Sequence, residues 1–261
     1  MKRNWLKQRN FWEILYVHTL RHIQVKYQET FFGFLWALFM PVMVVLAGVV
    51  VRTGIHFLSN GTVDLTQVSS VVVKSLPWAF FMSGLKTSIN SLVSNMGIIK
   101  KIYFPRVIYP LSYILSCLFD FAVATAVFIL VLCYLKVGIS IYILWVPVLI
   151  LILFFYVAGL SIFLSCINLF YRDVRLIIDV ILTFAIFITP VYYDASLFGK
   201  WKNIVLLNPI GSILEALNHA VVLHTSPELI WVLYAALWAG LISLIGWKVF
   251  HKFEPTFADW G

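Results

Sequence analysis

The 261 residues are 62% apolar and only 11% charged, with a mean hydropathy of +0.96. Ordinary soluble chains carry about 25% charged residues, so this composition excludes a soluble globular domain and indicates an integral membrane protein. The net charge of +8 would suit a nucleic-acid binder, but the cations fall where loops on one side of a membrane should lie, and no nucleic-acid module is visible.

Ahead of the first apolar run, Trp12, Tyr16, Leu20, Ile23 and Tyr27 recur at steps of four, four, three and four, which predicts one narrow helical face. His18, Arg21, His22, Gln24 and Lys26 lie off that face. Such an amphipathic helix belongs in the membrane interface, aromatics among the headgroups and cations toward anionic lipid. A short cytoplasmic helix packed on a partner protein is the alternative. A cleaved signal peptide is not expected, since about 30 polar and amphipathic residues come first and no small-residue cleavage site follows the apolar run.

A helix rises ~1.5 Å per residue and the hydrocarbon core is ~30 Å thick, so roughly 20 apolar residues span it. Phe32–Val51 offers 20 residues without a charge, Val137–Phe170 offers 34 and Leu229–Trp247 offers 19. Val107–Leu135 and Leu176–Tyr193 also qualify, each with one acid, Asp120 and Asp179. A further span at 75–98 is interrupted by Lys86, Asn90 and Asn95. The expectation is one all-α membrane domain over 1–261. It has an interfacial segment at 1–31 and six transmembrane helices near 32–51, 75–98, 107–135, 140–169, 176–193 and 229–247. In that arrangement 13 Lys and Arg face one side, and five (Arg52, Lys74, Lys136, Lys200 and Lys202) face the other. The positive-inside rule then puts both termini in the cytoplasm.

The first span has two unlike faces. Gly33, Ala37, Pro41 and Gly48 form a small face suited to close helix packing. Phe32, Trp36, Phe39 and Met43 form an aromatic face that either lines a conduit for sugar rings or meets lipid. Trp78, Phe80 and Phe81 on the second span are further conduit candidates. Among intramembrane charges, Asp120 is expected to pair with Lys86, and Asp179 to cap a helix or pair with Arg175. A proton relay is not expected, because His18, His22 and His251 lie outside the spans.

Between spans two and three, Lys100, Lys101, Tyr103, Phe104, Pro105 and Arg106 gather cations, aromatics and a proline in one short cytoplasmic link. Aromatic anchors and Arg–carboxylate pairs are the strong contacts of protein interfaces, so the link is a candidate contact for an energy-supplying partner. Its cations also serve the positive-inside rule. Tyr171, Arg172 and Asp173 face the same side as a second contact. Ile204–Leu223 is apolar but broken by Asn208, Pro209 and Gly211, and it carries Glu215. Neither half can cross a bilayer, which predicts a re-entrant helical hairpin on the outer side, a candidate gate. An external amphipathic loop is the alternative. Cys117, Cys133 and Cys166 lie in predicted spans as small buried residues. No catalytic constellation or metal-ligand cluster is visible.

Four motifs in register carry a resemblance. They are His22-Ile-Gln-Val-Lys26-Tyr27 with Phe32-Gly33, Trp36 and Pro41; Asn90 to Asn95 followed by Lys100 to Arg106; Asn168 to Arg175 followed by Thr189-Pro190-Val191-Tyr192; and Leu207-Asn208-Pro209. Together they resemble the ABC type-2 permeases that export polysaccharides, over nearly the whole chain. One departure is Phe32-Gly33 where the family has Leu-Gly, a turn implied to guard the inner mouth of the channel. The resemblance implies a homodimeric permease on a separate dimeric ATPase that binds ATP and Mg, with no cofactor in this chain. The absence of a G-x-x-x-x-G-K-S/T loop agrees with that division. It further implies export of a lipid-linked O-antigen-type glycan across the bacterial inner membrane. Teichoic-acid, capsule and small-molecule efflux permeases are the alternatives.

Overall fold

Backbone groups in lipid must pair within their own segment, so long apolar runs fold as helices. The computed structural model describes residues 9–28, 33–58, 65–101, 104–135 and 137–258, and among these it holds helices and no strand. In chain order the helices are α1 (Arg9–Gln28), α2 (Trp36–Leu58), α3 (Leu65–Ile89), α4 (Ser91–Ser94), α5 (Met96–Ile99) and α6 (Ile108–Tyr134). They continue as α7 (Trp145–Phe170), α8 (Asp173–Ile188), α9 (Lys202–Leu206), α10 (Pro209–Val221) and α11 (Leu229–Phe253). Five stretches of the described residues are helical, long and apolar enough to cross a membrane: Trp36–Gly54, Thr66–Ile89, Ile108–Tyr134, Ile141–Phe170 and Leu229–Phe257. With 16 residues, α8 is ~24 Å long and falls short of that length.

The weakest span in the sequence is the centre of the fold. Helix α3 packs on α2, α6, α7 and α10 and is buried along most of its length. Its Ser69, Ser70, Lys74, Ser75 and Ser88 are buried in protein. Polar groups are tolerated at membrane depth when protein surrounds them, which is why this span looks least like a lipid-facing helix. It begins ten residues before the predicted start at 75. Lys74, assigned to an outer loop by the sequence reading, therefore sits inside the helix and is 0% exposed. Arg52, also assigned outside, lies within α2 and is buried.

Helices α7 and α11 run side by side, joined by small residues. A Cβ on Gly159 would lie 2.6 Å from the Ser243 backbone, and one on Gly246 would collide with the Gly159 carbonyl. Only hydrogen fits there, and Ser243 Oγ donates to the Phe155 carbonyl at 2.8 Å beside it. The two helices end together, since Phe170 stacks edge-on against Phe253 at 5.5 Å.

Helix α1 lies against α6 through Phe11 and Leu15, both buried. Trp12, Tyr16 and Leu20 point outward, 61%, 64% and 38% exposed, so the first half of the aromatic face found in the sequence is turned away from the protein, whereas Tyr27 at its end turns inward to Asp120. Gly33 opens a 3-10 turn (Gly33–Leu35) at φ +48°, a left-handed backbone that glycine adopts without strain. In α2, Ala37, Pro41 and Gly48 are buried as the small face predicts, while Trp36, Phe39 and Met43 are exposed.

Candidate functional site

The body has one end bearing α1 and the loops after α5 and α7, and an opposite end bearing residues 189–209. Each end holds a polar cluster.

At the α1 end, the last turn of α1 reaches the middle of α6. Lys26 Nζ donates to one carboxylate oxygen of Asp120, and Tyr27 Oη donates to the other at 2.5 Å. Asp120 thus pairs with Lys26, not with Lys86 as the sequence suggested. Lys86 instead stands 3.8 Å from Asp179 of α8, and Arg175 is not its partner. The reason is which helices are neighbours: α3 touches α8 at this end, and α1 overlies α6. Beside these pairs is a cavity of about 380 Å³, among whose lining residues are Lys26, Trp36, Met82, Lys86, Asp120 and Phe121. Trp36 meets Phe39 edge-on at 5.0 Å, and both rings are about half exposed. An aromatic wall with two cations and an acid suits a ligand that joins apolar or sugar-ring surface to an anionic group.

Of the conduit candidates on α3, Phe80 is among the residues lining this cavity, whereas Trp78 and Phe81 are placed differently. They are 1% and 7% exposed, packed 5.3 Å apart within the core. Their ring faces are covered, because α3 is central. Phe32 lies outside the described residues.

The expected contact link divides in two. Lys100 and Lys101 are exposed, and so are Tyr171, Arg172 and Asp173. Asn168 ties the segments behind them together: its Nδ2 donates to the Ile89 carbonyl and its Oδ1 accepts the Arg175 N–H, both at 3.2 Å. Pro105 and Arg106 are buried, which corrects the outward placement expected for them. The Arg106 N–H donates to Glu254 Oε1 at 3.1 Å, its guanidinium donates to the Glu254 carbonyl, and it overlies Phe257 at 5.8 Å. The carboxylate partner expected from another chain is supplied by this one. Phe104 is half-buried, stacks on His18 and lies tilted against Tyr109. Tyr103 lies outside the described residues.

At the opposite end, Asp194 is the hub of a buried network. Its Oδ2 accepts from Arg52 of α2 at 2.5 Å, and its Oδ1 accepts from Lys74 at 2.7 Å and Ser70 Oγ at 3.1 Å, both of α3. Lys74 Nζ also donates to the Tyr193 carbonyl at 2.6 Å and stands 3.8 Å from Glu215. Burial pushes the Asp194 carboxyl up, but the Lys74 ammonium and the Arg52 guanidinium hold it well below the usual carboxylate range. Glu215, expected at a pore rim, is 7% exposed and accepts the Ala195 N–H at 2.5 Å. A carboxyl group buried in protein needs hydrogen-bond partners, and it finds them inside the fold. The break at Asn208-Pro209 is a helix start: Asn208 Oδ1 caps the Ile210 N–H at 3.1 Å, and its Nδ2 donates to Thr189 Oγ1 at 2.8 Å. Gly211 lies so close to Pro190 that a Cβ would meet it at 2.9 Å. These contacts seat α10 against the turn that ends α8.

Sequence reasoning missed Arg52, Lys74 and Asp194. The usable signal was Val71-Val72-Val73-Lys74-Ser75-Leu76, a cation embedded in an apolar run.

The family model for ABC-2 type transporters matches residues 14–222. Two proteins of Klebsiella pneumoniae called O-antigen export system permease protein RfbA are each 26% identical to the chain, over 257 and 255 residues, covering 95% of it and 94% of their own length. A protein of the same name from Myxococcus xanthus is 24% identical over 242 residues, 92% of each chain.

Proposed function

Because the chain belongs to the ABC-2 type transporter family, we propose that it is the membrane subunit of an ATP-driven exporter of a lipid-linked cell-surface polysaccharide of the O-antigen type. The observation that carries this reading is the cavity at the α1 end, where Trp36 stands with Lys26, Lys86 and Asp120. The names of the relatives, which align along 92–95% of the chain, point to the same cargo.

One membrane domain over 1–261 then crosses the bacterial inner membrane six times, as α2, α3, α6, α7, α8 and α11. Helices α7 and α11 end at the same face, so the chain between them crosses once, and α8 is the apolar helix at hand. Both termini and the α1 end face the cytoplasm. Helices α9 and α10, of five and 13 residues, enter and leave on the outer side as the re-entrant pair. Asn208 and Pro209 form its bend, Gly211 seats α10 on Pro190 beside it, and Gly33 stands at the inner mouth.

Two copies associate through the exposed apolar faces of α2 and α8, such as Met43 and Leu46 with Phe184 and Phe187. The conduit runs between them, with Trp36 and Phe39 on its wall. A dimeric ATPase binds ATP and Mg and docks on Lys100, Lys101, Tyr103, Phe104, Tyr171, Arg172 and Asp173, with Arg106 bracing the link from behind. Alone, this chain hydrolyses no ATP. Deleting the chain from its host tests the cargo. The expected result is loss of surface glycan with its lipid-linked form accumulating inside, restored by the wild-type chain. Unchanged surface glycan would overturn the reading.

A further inference from the structure

A second, smaller cavity lies further back along α1, about 180 Å³ between that helix, the α4–α5 junction and the first turns of α6. None of the residues lining it is acidic. What they present is donors. Arg21 stands exposed at the rim. His22 Nδ1 and Tyr109 Oη are buried with no hydrogen-bond partner among the described residues, although buried polar atoms are ordinarily paired. Tyr113 Oη accepts from Asn95 Nδ2 at 3.2 Å, which leaves its own O–H to donate. The His22 ring lies tilted against Tyr113, with centroids 3.9 Å apart, which holds the imidazole in place.

We propose that this cavity is a binding site for a phosphate group, held by the Arg21 guanidinium, the His22 ring and the Tyr109 and Tyr113 hydroxyls. A guanidinium fork matches phosphate oxygens, and buried O–H and N–H groups without partners supply the rest. Burial lowers the affinity of His18 and His22 for protons. Arg21 lowers it further for His18, and Lys26 does so for His22, with Asp120 opposing. The positive charge of the cavity therefore comes from Arg21, and the His22 ring contributes as a hydrogen-bonding group. Its position suits the headgroup plane, because Trp12, Tyr16 and Leu20 of the same helix face outward. The phosphate comes from an anionic lipid headgroup or from free phosphate; the chemistry of recognition is shared. Occupancy bears on the link to the ATPase, since His18 at the cavity edge stacks on Phe104 at 5.7 Å.

The test is native mass spectrometry of the full-length chain in neutral detergent. It is titrated with phosphatidylglycerol, with diacylglycerol carrying the same acyl chains, and with inorganic phosphate. The wild type retains phosphatidylglycerol about tenfold better than diacylglycerol. Arg21→Gln removes that preference, and Tyr109→Phe, which keeps the ring packing, weakens it about threefold. Lys248→Gln, an equal charge loss on exposed α11 surface, leaves it unchanged. Binding of inorganic phosphate with the same sensitivity to Arg21→Gln, and no lipid preference, supports the site with a soluble source. Two results overturn the proposal: no binding of either probe above diacylglycerol, or an equal loss in Lys248→Gln.

Discussion

Asp194 and Asp120 are both acids set among apolar helices, yet their surroundings are opposite. Asp194 receives Arg52, Lys74 and Ser70 from two helices, and Lys74 is fully enclosed. Asp120 receives Lys26 and Tyr27 from α1, which only overlies the bundle, and it opens onto a cavity. The first arrangement clamps α2, α3 and the segment before α9 into one unit. The second can release when α1 moves, with no buried charge left bare in the core. A protein that moves a ligand from one end toward the other benefits from this asymmetry, with the open cluster at the entrance and the closed one fixing the far end.

The sharpest way to break the comparison is Asp194→Asn. It leaves the buried Lys74 charge without its nearest counter-ion, and removing one member of a buried pair costs about 3 kcal/mol or more. A large fall in thermal stability in detergent is expected. The carboxyl is held below its usual range in the folded chain, so its contribution is complete above the unfolded value of about 3.9 and disappears as pH falls below it. The difference in melting temperature between wild type and Asp194→Asn should therefore stay constant from pH 8 to about pH 5 and shrink only at more acid pH. A difference that shrinks already between pH 8 and pH 6 would show that the hub is not a carboxylate clamped by two cations.

Asp120→Asn should cost less, about 1–2 kcal/mol, because Lys26 keeps access to water and only charge-assisted hydrogen bonds are weakened. Protease accessibility of α1 should rise while the far end stays protected. If Asp120→Asn destabilises as much as Asp194→Asn, the two clusters are equally structural and the contrast fails. The smallest effect belongs to Lys202→Gln. Its partner Glu228 is exposed, and such surface pairs contribute roughly 0.5 kcal/mol. A larger loss would place the α9 segment in the clamp.

Periodicity made much of this legible. Helix positions follow from the lengths of the apolar runs, the outward placement of Trp12, Tyr16 and Leu20 and the two faces of α2 from steps of three and four residues, and the local break at Asn208-Pro209 from proline's lack of an N–H. What periodicity does not carry is which helices touch. The pairs Lys26–Asp120, Lys86–Asp179 and Arg52–Asp194 join residues tens to more than a hundred positions apart, so no local pattern announces them. Lys74 was misplaced because hydropathy assumes lipid outside every span, and α3 is surrounded by protein instead. Arg106 was misread for a related reason: its partner Glu254 comes from the far end of the chain.

The account's central claim is that the α1-end cavity receives the exported molecule. The direct measurement is ATP-dependent delivery of a lipid-linked glycan across proteoliposomes holding this chain and its ATPase, wild type against Trp36→Ala and Lys86→Gln. Trp36 is half exposed and Lys86 stands at a half-exposed pair, so both variants should keep near wild-type stability. The account predicts that each loses about tenfold or more of the delivery rate, with ATP hydrolysis and complex assembly retained. Wild-type delivery by both variants would contradict it.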